Sequence, residues 1–491
     1  MKEENLLLER LKNYGRSQRY PFHMPGHKRQ KRCFCENFPN PYEIDITEIE
    51  GFDNLHHPEG ILRESMQWAA KVYGADRTYY LINGSSGGIL SAICGVSSFG
   101  DKIIVSRNCH KSIYHGIILK NLKTEYIYPQ IIEKMWITGG ISTDDVEKAL
   151  EKNPDACAVL VVSPTYDGIV SDIRGIADAA HKRGIPLIVD EAHGAHFSFG
   201  GKDAERFFPL SALDCGADLV IQSLHKTLPS FTQTAVLHVK EKNINIEKLE
   251  WYLQVYQSSS PSYVLMAGIE HCIFEMEKRG GKYYSEFQER LLRLRKNLSS
   301  MKYLKLLDED VIGEFGVHDL DKSRIVVSCK GTSLSGEKLG ELLRKKYDLE
   351  MELCGIDYVV AITTIFDTQE GLMRLEKALL EIDKDRNSND FDDERTGEKE
   401  ANVFCGEYRP EICMTLSEAM NKKRDRIKIS DCAGKISAEF VYLYPPGIPI
   451  LVPGERIEQE FIEEILRYRQ TGLSVQGMAD RTSEYLMVCT E

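Results

Sequence analysis

The chain has no apolar run near the about 18 residues that a membrane span requires. Its first stretch, MKEENLLLERLKNYG, has charge on both sides of a short leucine run. It lacks the apolar segment and small-residue cleavage site of a signal peptide. Thirteen cysteines include no C-x-x-C pair, and the nearest two are Cys33 and Cys35. A disulfide framework is therefore not indicated, nor is a thiolate metal site. Adjacent His56 and His57 would point apart on a strand or helix, which is poor geometry for joint ligation. Positive charge is in deficit: 62 basic against 75 acidic residues leave a net −13. Such a surface repels phosphate backbones. Together these absences predict a soluble, cytoplasmic protein with reduced thiols, no metal, no membrane segment and no nucleic-acid partner.

What is present is ordinary globular composition, 42% hydrophobic over 491 residues, enough for about two to four domains. From Thr78 to about Lys240 short apolar runs (TYYLI, KIIVS, ACAVLVVS, IPLIVD, ADLVIQS) alternate with longer segments of helical spacing. That alternation predicts an α/β domain on a mostly parallel sheet. Residues 245–300 read as long helices, and 301–382 mix strands and helices as a smaller α+β domain. The polar stretch 383–402 reads as a flexible linker, and 403–491 as a C-terminal α/β unit. Residues 1–50 form an N-terminal arm and 51–300 the large domain; HKRQKR, from His27 to Arg32, reads as a solvated basic arm. Four prolines in YLYPPGIPILVPGE exclude a helix there and predict a stiff loop or edge segment.

In open α/β sheets ligands bind beyond the carboxyl ends of the strands. After TYYLI comes NGSSGG, Asn83 to Gly88, a small-residue turn into a helix and a potential phosphate cup. It is not a nucleotide P-loop. After KIIVS stands His110, after IPLIVD ends Asp190, and after ADLVIQS comes Ser223-Leu-His225-Lys226. An anion cup, a flat imidazole, a buried carboxylate and a lysine on one sheet edge match the needs of pyridoxal 5′-phosphate. Its phosphate needs the cup and its ring a stacking partner. Its pyridine nitrogen needs a carboxylate and its aldehyde a lysine.

These residues sit in motifs that closely resemble the Orn/Lys/Arg decarboxylase family, in its shorter members without an N-terminal wing domain. The motifs are FHMPGHKR, DITEIEGFDNLHHPEG, NGSSGG, RNCHKSIYHG, SPTYDGIVSDI, DEAHGAHF, SLHKTL, QSSSPSY and SAEFVYLYPPGIPILVPGE, in the family's order. The resemblance implies an aminotransferase-like fold of type I and decarboxylation of a basic L-amino acid. Arginine is the first expectation, with lysine and ornithine open. It implies that Lys226 binds the cofactor aldehyde, Asp190 pairs with the pyridine nitrogen and His110 stacks on the ring. Ser85, Ser86 and Ser223 would hold the phosphate, with Ser258 or Ser259 reaching in from a neighbouring subunit of a homodimer or larger homo-oligomer with shared sites. His193 and His225 would lie beside cofactor or substrate, with His225 or Lys226 protonating the substrate's α-carbon. Glu439 is the candidate carboxylate for the substrate's basic side chain. Departures from the family pattern stand at Gly87-Gly88-Ile89, Tyr166-Asp167-Gly168 and Pro229-Ser230. Two rival readings are a transaminase or lyase gripping a carboxylate through Arg324, and a non-catalytic regulatory paralogue.

Overall fold

The computed structural model describes residues 6–30, 38–200, 206–385, 408–444, 448–470 and 474–490. Seven strands form the central sheet: β1 (Arg77–Leu81), β2 (Lys102–Ser106), β3 (Lys123–Ile127), β4 (Ala156–Val162), β5 (Leu187–Asp190), β6 (Leu219–Gln222) and β7 (Ala235–Val239). Their order is β1-β7-β6-β5-β4-β2-β3. All neighbours are parallel except β7, which runs antiparallel to β6 and β1. The apolar runs are nearly continuous because both faces are covered. Val159, Val161, Val189 and Val220 face one core, and Leu160, Ile188, Leu219 and Ile221 the other. The α/β expectation holds, and six strands, all but β7, deliver their carboxyl ends to one edge.

The helix Gly84–Val96 packs directly on this sheet, because a Cβ on Gly88 would meet Leu81 Cδ1 at 2.5 Å and Ile221 Cγ2 at 3.3 Å. The helical region at 245–300 resolves into Ile246–Tyr256 and the long Tyr263–Leu298, each capped by a side chain, Asn245 and Ser262. A four-stranded antiparallel sheet forms the small domain, in the order Lys305–Leu306, Arg324–Ser328, Tyr358–Ile362, Leu353–Cys354. Residues 383 and 384, expected to open the linker, instead end the helix Gln369–Lys384. Asp383 is buried there and accepts from the amides of Lys302, Tyr303 and Leu304, each at 2.8 Å. The rest of that stretch, 386–402, lies outside the described residues.

The C-terminal unit has its own core around Phe461, Ile465 and Leu486. Within the proline-rich segment, Ile448–Leu451 is an edge strand beside Val441–Tyr444; Pro445 to Gly447 lie outside the described residues. Near the N-terminus, Tyr20–Phe22 pairs in parallel with Leu349–Met351 of the small domain. The basic arm is corrected at Lys28, which is buried and donates to the carbonyls of His23 and Ile362, both at 2.8 Å; Lys31 and Arg32 lie outside the described residues. Among the described residues no helix is long and apolar enough to cross a membrane.

Candidate active site

Lys226 stands on a single helical turn, Leu224–Thr227, immediately after β6. Its Nζ lies 2.9 Å from His193 Nε2. Burial pushes the Lys226 amine below its ordinary pKa; Asp190 opposes the shift and Arg324 adds to it. Asp190 is buried at the end of β5 and accepts from the Ala192 amide at 3.1 Å. Burial raises its carboxyl above the usual range, and the charge of Lys226 partly offsets this. The two groups that the sequence placed on neighbouring strand ends therefore face each other electrostatically.

His110 caps the helix Lys111–Leu119, its Nδ1 accepting from the Ser112 amide at 3.2 Å. That bond orients the ring, and the residue as a whole is exposed. Desolvation by its surroundings, then the charge of Lys226, lowers its pKa to about 4, so the imidazole is neutral. His225 donates from Nδ1 to the Thr234 carbonyl at 3.0 Å. A carbonyl only accepts, so Nδ1 carries the proton and Nε2 is the nitrogen left to exchange one. Burial first lowers the His225 pKa.

The anion cup is built from one helix start. Asn83 occupies the N-cap without a side-chain capping bond, and Gly84 adopts φ +69°, a left-handed conformation suited to glycine. Ser85 and Ser86 follow in the first turn, half-buried and exposed. At the end of β6, two strands along the sheet from β1, Ser223 is fully buried and its Oγ has no partner among the described residues; the Oγ1 of Thr227 is equally orphaned. Buried hydroxyls are rarely left unpaired. A phosphate accepting from Ser223 beside an open helix N-terminus satisfies the chemistry present, so these residues fit pyridoxal phosphate.

Glu439 is engaged within the C-terminal unit, and Ser258 and Ser259, expected to serve a neighbouring subunit's site, are exposed in the single chain. Glu439 is buried, with Oε2 accepting from the Ala479 amide and Oε1 from the Met487 amide, both at 2.8 Å. Its two oxygens thus tie a loop and the strand Tyr485–Cys489 of the C-terminal unit together. Ser258 and Ser259 are exposed; the Ser258 carbonyl accepts from His56 Nε2 at 2.8 Å. They follow Tyr256, whose carbonyl accepts from Asn83 Nδ2 at 3.0 Å, which puts them near the cup but facing solvent.

The sequence reading missed what the small domain contributes. Arg324 is fully buried; its Nη2 donates to the His193 carbonyl at 3.0 Å and lies 3.4 Å from His193 Nδ1. Its Nη1 lies 3.6 Å from Asp321 Oδ2. A guanidinium held in this way is not open to a substrate carboxylate, which removes the support for the transaminase rival. Glu352 accepts from the Tyr166 hydroxyl and, at 2.8 Å, from the Met24 amide. Tyr166 in turn lies against His193, ring centroids 4.8 Å apart. Only the position of Arg324 in an apolar run, a buried cation at a strand start, could have signalled a structural role.

Comparison with known proteins agrees with this arrangement. Residues 6–325 match the model of the Orn/Lys/Arg decarboxylase major domain, and 401–477 that of the Orn/Lys/Arg decarboxylase C-terminal domain. The chain is similar to an arginine decarboxylase of Bacillus subtilis, 33% identical over 99% of this chain and 98% of the relative. Among solved structures it resembles the Francisella novicida lysine decarboxylase LdcF (TM-score 0.76, 21% identity, 90% of this chain and 73% of that one). It also resembles a ureidoglycine–glyoxylate aminotransferase of Bacillus subtilis (TM-score 0.57, 12% identity, 74% and 93%). At these identities the two structures speak for the fold.

Proposed function

The chain belongs to the Orn/Lys/Arg decarboxylase family, and from that premise we propose that it decarboxylates a basic L-amino acid with pyridoxal phosphate, converting arginine to agmatine and CO2. The observation that carries the reading is the convergence of Lys226, Asp190, His110 and the orphaned Ser223 hydroxyl on one sheet edge. The full-length similarity to arginine decarboxylases supports arginine over lysine and ornithine.

When bound, pyridoxal phosphate supplies the electron sink that lets a Cα–carboxylate bond break. Lys226 would hold its aldehyde, Asp190 its pyridine nitrogen, His110 the ring face, and Ser85, Ser86 and Ser223 the phosphate. Asp190 would hold a proton on that nitrogen, because burial disfavours its carboxylate and a cation beside it restores the charged form. The bonding pair stays on Cα when CO2 leaves, so each turnover takes up one proton there. His225 Nε2, which is free to take up a proton and pass it on, is the atom that would deliver it. Neutral His110 presents an uncharged face, so no second cation competes for the carboxylate that must leave.

The active form in this reading is a homodimer. Exposed Phe52, Trp251 and Val255 lie on the segments around His56 and Ser258, where a second copy would cover them and bring Ser258 or Ser259 to its cup.

The test offers L-arginine, L-lysine and L-ornithine in competition to the purified protein with pyridoxal phosphate. Mass spectrometry reads the amines and CO2 is measured alongside. Agmatine in excess with matching CO2 is the expected outcome. Dominant cadaverine or putrescine moves the substrate to lysine or ornithine. A yellow protein that forms no amine overturns the reading.

A further inference from the structure

We propose that Arg324 is a positioning residue: it fixes the tautomer of His193, and His193 in turn holds Lys226 as an unprotonated amine whenever that lysine is not joined to the cofactor. The proposal rests on the reading above only in naming Lys226 as the reactive amine.

The argument is one of donors and acceptors. A guanidinium has five N–H donors and no acceptor. Arg324 Nη2 approaches both the carbonyl oxygen of His193, at 3.0 Å, and its Nδ1, at 3.4 Å. Nδ1 must therefore present its lone pair. A neutral imidazole then carries its hydrogen on Nε2, which lies 2.9 Å from Lys226 Nζ. Nζ has to accept that hydrogen, and only an uncharged amine can. An ammonium at Nζ would set two hydrogens against each other in a buried place. Burial, with Lys226 and Arg324 nearby, keeps His193 far below its ordinary pKa, so the neutral ring is the one to consider.

The other groups facing Lys226 do not undo this. Asp190 and Glu352 favour the ammonium, while Arg324 opposes it. His110 and His225 both have lowered pKa values and are neutral beside it. Arg324 is itself held by a rigid base: Asp321 accepts from Ser323 Oγ at 2.6 Å and pairs with His196 at 3.2 Å and with Arg324. The motif DEAHGAH thus sends two histidines into the small domain, His196 to Asp321 and His193 to Arg324. The consequence is chemical: Lys226 re-enters each cycle as a nucleophile without first having to shed a proton.

The measurement is reductive methylation of the full-length, cofactor-free protein with formaldehyde and a borane across a pH series, each lysine read by peptide mass spectrometry. Wild-type Lys226 should label with a midpoint at least one pH unit below that of the exposed lysines, about tenfold faster at pH 7. Arg324→Gln should remove that advantage. Loss of a positive charge alone would act in the same direction, so the change is repeated in a His193→Phe background. If the relay operates, Arg324→Gln has little further effect there; an undiminished effect overturns the proposal. Should Arg324→Gln fold poorly, nitrogen-15 histidine spectra of the wild-type protein decide, with His193→Phe identifying the signal. Hydrogen on Nε2 supports the relay and hydrogen on Nδ1 overturns it. Neither readout involves substrate, so a failed decarboxylase assay and a failed relay are separate results.

Discussion

Asp190 illustrates how single residues trade stability for chemistry. Its carboxyl is buried, and desolvation already favours the protonated form. Asp190→Asn keeps the shape and the bond from Ala192 while removing a charge that the fold resists. The variant should melt at the wild-type temperature or above it, yet lose about 10²–10³-fold in kcat through the lost electrostatic support. A matched fall in melting temperature and activity would show that Asp190 is structural instead. His238 supplies a second residue-scale prediction. It is fully buried between Thr78 Oγ1, at 2.8 Å, and Gln222 Oε1, at 3.3 Å, and burial lowers its pKa to about 3. The unfolded chain binds that proton near pH 6.5 and the folded one does not, so stability is complete above 6.5 and declines as pH falls toward 3. The stability advantage of wild type over His238→Gln should shrink by about 1.4 kcal/mol per pH unit below 6.5. Parallel denaturation curves at pH 7 and 5 check this, and a constant difference would refute it. Lys226, Asp190 and His110 were legible because each stands where an apolar run stops, and a polar group there belongs to a sheet edge. Arg324 was not, since its partner His193 is distant in sequence and only folding joins them. For Glu439, the candidate substrate carboxylate, the two amides it accepts from, those of Ala479 and Met487, carry no side-chain signature in the sequence.

At the scale of elements, the turn bearing Lys226 is pressed from outside by the N-terminal segment. The Gly26 amide donates to the His225 carbonyl at 2.7 Å, and the Gly26 carbonyl accepts from Thr364 Oγ1 at 2.7 Å. A Cβ on Gly26 would lie 2.6 Å from Leu228 O and 2.8 Å from Leu228 N, both backbone atoms that cannot turn aside. Gly26→Ala should therefore cost about 1–3 kcal/mol by overpacking and lower activity with it, because the strain falls on the lysine turn. Gly281→Ala, with nothing within 4 Å in the middle of a long helix, is the control and should be neutral or stabilising. Equal melting temperatures and activities for the two variants would remove the close approach as the reason for this glycine. The elements themselves were readable from periodicity and capping residues. The meaning of Gly88 was not: its place among the departures from the family pattern is explained by the sheet beneath, where Leu81 and Ile221 leave no room for a side chain without displacement.

The whole molecule is joined by an ion pair that neither partner's sequence announces. Arg107 follows β2, three residues before His110, and Glu455 ends the proline-rich motif of the C-terminal unit. Both side chains are buried, 3.2 Å apart. Arg107 Nη1 also donates to the Pro449 carbonyl at 2.6 Å and to the Tyr114 hydroxyl at 2.7 Å, and Glu455 Oε2 accepts from the Val452 amide at 2.8 Å. Leu416 and Val452 complete the junction by entering the core of the large domain. The C-terminal unit was recognisable as a unit from composition, but its attachment depends on contacts across hundreds of residues. Breaking a buried pair leaves the surviving charge without a counterion, which costs more than the pair itself contributes. Glu455→Gln should therefore destabilise the protein by about 3–5 kcal/mol and weaken cofactor binding, since Arg107 and Tyr114 flank the turn that carries His110. Arg107→Met combined with Glu455→Leu removes both charges and should recover most of that loss. Chemical denaturation of the two single variants and the double one, followed with cofactor titrations, separates the outcomes. Strong recovery in the double variant means that the ion pair governs the junction. Additive losses mean that apolar contacts hold the C-terminal unit and that each charge serves its own side of the seam.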